Sequence, residues 1–146
     1  MKRLWKLISV GVISGFILGG FLKMVEHDTG KAVYVLLLNV DYIPVIKDWN
    51  MNEAVEFGLH LLVSVLLVLC IYFLFKRWKV QNQILPYIIV NVLIGCVLYF
   101  TTQFSERTPD LTDMTALMYW IVGHLMYGIS VWVLVLLLVE KREDRV

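Results

Sequence analysis

Four apolar stretches, each of about 20 residues and each closed by charged residues, constrain this chain of 146 residues more than anything else in it. They run from Leu7 to Val25, from Ala54 to Phe75, from Ile84 to Phe104 and from Ala116 to Val139. A stretch of that length and polarity is stable as an α-helix in lipid, because a helix satisfies its backbone N–H and C=O groups internally where no water is available. Composition agrees: 60% of residues are hydrophobic and 17% charged, more apolar matter than a soluble domain of this size can cover. The expected fold class is all-α, a single polytopic membrane domain over residues 1–146 built as a four-transmembrane-helix bundle.

Between the first two stretches lies a long connection, His27 to Glu53, with an apolar run from Ala32 to Val40 broken only by Asn39. Asp41, Tyr42, Ile43 and Pro44 follow it. The run is too short to span, so an interfacial or re-entrant segment is expected in this first outer loop.

Charge sets the orientation. Nine of the thirteen basic residues fall at one end of the bundle: Lys2, Arg3, Lys6, Lys76, Arg77, Lys79, Lys141, Arg142 and Arg145. Only Glu140, Glu143 and Asp144 oppose them there, leaving +6. The other end holds Lys23, Lys31, Lys47 and Arg107 against nine acids, leaving −5. By the positive-inside rule the basic end is expected to be cytoplasmic, with both termini inside. The first stretch ends in Lys23 and Glu26 and not in a small-residue cleavage site, so it is expected to be a retained helix and not a signal peptide.

The first span reads Gly11-x-x-x-Gly15-x-x-x-Gly19, a face on which missing side chains let another helix approach closely. Its partner is either another helix of this chain or a second protein. Four residues further along that face stands Lys23, then Glu26 and His27. The second span carries Glu53, Glu56, His60 and Ser64 at spacings of three and four, which aligns them on one face. His60 is expected about 9 Å below the acidic end and His124 of the fourth span about 12 Å below it, at 1.5 Å per residue. Thr101, Thr102 and Gln103 border the same level.

Ionisable groups inside spans face the bundle interior or a wet cavity, so Lys23, Glu26, Glu56, His60 and His124 are the candidate ligand- or proton-binding residues. The cluster suits a proton, a cation, or an anionic headgroup or small acid; a purely structural hydrogen-bond network that fixes helix register is the simpler alternative. Glu56, His60 and His124 are weak candidates for a metal.

Asn91 and Gly95 of the third span suggest a helix contact with Asn91 as an interhelical donor. Trp5, Trp49, Trp78 and Trp120 suggest interfacial anchors. Cys70 and Cys96 lie at depths about 10 Å apart and are poorly placed to bridge. No cofactor motif, no nucleophile with an oriented base and no nucleotide-binding loop is present, so no enzyme activity, no cofactor and no nucleic-acid partner are expected. The bilayer is the expected partner, with a homo-oligomer or another membrane protein as further possibilities.

The combination of Gly11-x-x-x-Gly15 with Lys23-x-x-Glu26, of His60 with Ser64 and Tyr72, and of Trp120-x-x-Gly123-His124-Leu125 before a charged tail resembles the YagU-like family of bacterial inner-membrane proteins. The family's Pro-Pro-Arg stretch is replaced here by His27 to Lys31, and the first loop is shorter. The resemblance implies a bacterial plasma-membrane protein of unassigned activity, linked to acid tolerance, and assigns no catalytic residues. A second function consistent with the sequence is an accessory or scaffold subunit that binds a membrane protein through the glycine face.

Overall fold

The structure, a computed structural model, describes residues 2–40, 43, 45 and 51–141. It is all-α, with four long apolar helices and no strand among the described residues. The elements are α1 (Lys2–Thr29), α2 (Val33–Leu38), α3 (Glu53–Arg77), α4 (Ile84–Tyr99, continued as a 3₁₀ turn to Phe104) and α5 (Met114–Leu134, continued as π-helical turns to Glu140). Four of them are long and apolar enough to span a bilayer, and α1 exceeds its apolar stretch by several residues at its start.

Local chemistry sets the helix ends. α1 stops at Gly30, whose positive φ of 71° lets its N–H return to the Glu26 carbonyl at 2.9 Å, a turn that glycine takes without strain. Asn52 caps α3 by accepting from the Val55 N–H at 3.0 Å, and Asp113 caps α5 by accepting from the Ala116 N–H at 3.1 Å. Glu53 and Glu56 in the first turn of α3 and Lys76 and Arg77 in its last complement the helix dipole. α3 ends at Arg77, and just beyond it Lys79 holds a positive φ of 60° while the Val80 N–H reaches back to the Phe75 carbonyl.

α1 is the central helix. It packs on both α3 and α5, α5 packs on α4, and α3 and α4 scarcely touch, so the helices stand in the order α3, α1, α5, α4. Glycines make the close approaches. A Cβ on Gly11 would stand 2.6 Å from the Val65 Cα, and Gly15 and Gly19 face Leu61, Ser64 and Phe57. The glycine face of α1 is therefore filled by α3 of the same chain. Gly123 sits against Leu18 and Leu22 of α1, and Gly128 against the Tyr87 carbonyl of α4.

The apolar run of the first loop forms α2, and Val33, Leu36 and Leu38 are buried in the core against the bundle. The segment lies folded against the acidic end of the helices instead of spreading over the surface. Asp41, Tyr42, Pro44, Lys47, Trp49, Glu143, Asp144, Arg142 and Arg145, used above for loop and orientation, lie outside the described residues. Cys70 and Cys96 are free. Trp5 and Trp78 are exposed, as interfacial anchors should be, whereas Trp120 is buried and donates its indole N–H to the Gly95 carbonyl at 2.8 Å. Trp120 is a packing residue, not an anchor.

Candidate functional site: a crevice between α3 and α4

The polar residues singled out in the sequence fall into two tiers. The upper tier, at the acidic end, fastens α2. Lys23 pairs with Glu53, which also accepts from the Tyr34 hydroxyl at 3.0 Å, and the Lys23 ammonium lies 5.1 Å over the Tyr34 ring. Glu26 accepts from the Tyr34 and Val35 N–H groups at 2.8 and 3.0 Å. It thereby satisfies the open amides at the start of α2, where Ala32 supplies no side-chain cap. Glu56 accepts from both Arg107 guanidinium nitrogens at 3.2 and 3.3 Å. Lys31 pairs with Asp113 at 2.7 Å, joining the loop before α2 to the start of α5.

Two groups of this tier outside the long helices have shifted ionisation. Burial, followed by its bond to Glu53, pushes the Tyr34 hydroxyl up to about 12, so it remains a donor. The bond from Lys31, then the Ala116 N–H, holds the Asp113 carboxyl below its ordinary value.

The lower tier lies deeper, where α1, α3 and α5 meet. His60 Nε2 stands 3.2 Å from the Gly15 carbonyl, and His124 Nδ1 stands 2.9 Å from the Trp120 carbonyl. A carbonyl oxygen only accepts, so each of these nitrogens carries the proton; in a neutral ring the other nitrogen, Nδ1 of His60 and Nε2 of His124, is an acceptor. His124 is seated by a glycine: a Cβ at Gly95 would stand 2.6 Å from its Cγ. Beside them the Tyr127 hydroxyl donates to Ser64 Oγ at 2.8 Å, and Ser64 Oγ donates to the Gly11 carbonyl at 2.7 Å. That buried relay ties three helices together.

His60 and His124 line one cavity of about 350 Å³ together with Ser64, Asn91, Thr101 and Tyr127. Its walls are apolar: Leu62, Val63 and Leu66 of α3 and Ile94 and Leu98 of α4, with residues from Leu36 to Val40 closing its upper end. Leu62, Val63 and Leu66 are 54%, 59% and 53% exposed on the side where α3 and α4 fail to meet. These residues sit near the middle of a 25-residue span, so the crevice opens sideways towards lipid.

The expected single cluster is thus divided. Lys23 and Glu26 belong to a separate hollow with His27, Tyr34, Glu53 and Arg107, Glu56 borders both spaces, and His60 and His124 line the crevice without bordering the hollow. His27 is exposed and paired with Asp28. The metal reading of Glu56, His60 and His124 does not hold, because among the described residues no three His, Cys, Asp or Glu side chains converge on a common point and Glu56 is engaged by Arg107. Asn91 also departs from expectation: its Nδ2 donates to Tyr87 of its own helix at 2.7 Å, and its Oδ1, in a side chain with 0% exposure, has no partner. Sequence reading missed Arg107, Tyr34 and the Lys31–Asp113 pair, whose partners are brought together only by the folding back of the loops.

Compared with protein-family models, curated proteins and solved structures, the chain matches none of them, and the YagU-like resemblance gains no support there.

Proposed function

We propose that this polytopic membrane protein is a binding protein of the bilayer, not an enzyme, and that its site is the crevice between α3 and α4. One observation carries the reading: His60 and His124 line a single cavity that opens to the lipid side, and each ring keeps one nitrogen uncommitted. Leu62, Val63 and Leu66 at the mouth admit an apolar group, and the polar wall behind them fixes its orientation, the usual division of labour in ligand pockets. The volume of about 350 Å³ is in the ordinary range for small-molecule sites. The Ser64 hydroxyl donates to a carbonyl, which supports a binding role over nucleophilic catalysis at this wall.

The accessory-subunit reading through Gly11, Gly15 and Gly19 loses its surface, because α3 occupies that face. Proton binding by the two histidines is the second reading, favoured by their shared cavity. We also place the basic end in the cytoplasm, on the strength of the +6 and −5 division of charge.

Leu66→Trp puts an indole into the mouth of the crevice without touching the polar wall. Native mass spectrometry of the full chain extracted from membranes should show a small amphiphile retained by the unaltered protein and absent from Leu66→Trp. Equal adducts on both proteins, or none on either, would contradict the proposal.

A further inference from the structure

From the hydrogen-bonding polarity of the crevice wall we infer that the ligand is an uncharged, single-chain amphiphile ending in an O–H donor, such as a fatty alcohol or a monoacylglycerol. This rests on the crevice being the binding site.

Most donors of the wall are already used, and the Asn39 amide stands buried at its upper end. Ser64 Oγ donates to the Gly11 carbonyl and Tyr127 to Ser64, Thr101 Oγ1 donates to the Leu98 carbonyl at 2.6 Å, and the Trp120 indole donates to Gly95. The acceptors are not. His60 Nδ1 and His124 Nε2 are left over once each ring has donated to its carbonyl, and Asn91 Oδ1 is buried with no partner. A buried acceptor without a donor is unfavourable, so the wall is complementary to a group that brings a hydrogen.

Charge excludes the other lipid classes. Among the described residues no Lys or Arg lines the crevice, so an anionic phosphate or carboxylate would enter without a counter-ion. Among the described residues the one acidic lining side chain, Glu56, is engaged by Arg107, which leaves it poorly placed to hold an ammonium. A neutral hydroxyl satisfies the wall with no buried charge. The walls are built largely from Leu, Ile and Val, and a volume of about 350 Å³ suits one medium-length chain better than the two chains of a bulk phospholipid.

The test uses the full chain in lipid nanodiscs with tritiated 1-dodecanol and, as comparison, tritiated dodecyl methyl ether, which has the same chain and no donor. Saturable binding is read against empty nanodiscs. The alcohol should bind saturably at one per chain, and the ether about tenfold more weakly, the loss expected for one hydrogen bond. Asn91→Leu should lower alcohol binding towards that of the ether, and hydrogen exchange in the middle of α5 as slow as in the unaltered protein shows that the variant is folded. Where Asn91→Leu fails to assemble, His60→Phe carries the same comparison. Equal saturable binding of alcohol and ether would overturn the donor inference and leave the lipid-facing site standing. Saturable binding of neither would overturn both.

Discussion

Close approach at single residues is what the bundle depends on, and the glycines differ sharply in how much. A methyl group at Gly11 would be driven against the Val65 backbone, which cannot swing aside as a side chain could. Gly11→Ala should therefore lower stability by about 2 kcal/mol, in the range for overpacking. Gly20 has nothing within 4 Å of its Cβ position, so Gly20→Ala should be neutral or stabilise the helix by up to about 1 kcal/mol. Thermal unfolding of the two variants in the same detergent separates them. Ser64 offers a second contrast. Ser64→Ala removes one of the Tyr127 hydroxyl's two partners and leaves it the Ser64 backbone carbonyl at 3.3 Å, at a cost of about 1 kcal/mol; Tyr127→Phe removes the same side-chain bond, so the double variant should be less destabilised than the two single losses added together. Spacing in the sequence was enough to mark Gly11, Gly15, Gly19, His60 and His124. It could not reveal that Asn91 turns its amide onto its own helix, because the choice between Tyr87 and a neighbouring helix depends on where α5 stands.

Elements show the same pattern of legible and hidden features. The four spans follow from apolar length alone, since nothing else satisfies the backbone in lipid. α2 was legible only as a short apolar run. What makes it a helix packed on the bundle is a set of long-range partners, Glu26 on its first amides and Tyr34 on Glu53, which lie outside any local pattern. Glu26→Ala should expose those amides and raise hydrogen exchange across residues 33–40 while leaving exchange in the middle of α5 unchanged. Glu26→Gln, which keeps an acceptor, should have a smaller effect. The Lys31–Asp113 pair makes this region acid-sensitive with a definite sign. Asp113 is held below its ordinary value of 3.8, so its contribution is complete above that value and is lost as the pH falls through the lowered pKa. Loosening of the loop before α2, read by hydrogen exchange, should therefore begin only below about pH 4, and Lys31→Met should remove the acid dependence contributed by this pair.

At the scale of the whole molecule, the order α3, α1, α5, α4 leaves a gap that a closed square of helices would not have. That order decides which polar residues share a space. Depth along each helix, which the sequence supplies, placed Lys23, Glu26, Glu56, His60 and His124 at one level, but the lateral order of the helices and the folding of α2 then separated the first two from the histidines. On the proposed reading of the crevice, lipid and not water reaches His60 and His124. With three histidines in the chain, ¹³C-histidine labelling in lipid nanodiscs gives a direct measurement with an internal control, because His27 is exposed at the end of α1. Nuclear Overhauser contacts should join the imidazole C–H protons of His60 and His124 to alkyl-chain methylenes, while His27 shows contacts to water alone. Water contacts without methylene contacts at both crevice rings would contradict this reading and point to a hydrated, proton-binding site in its place.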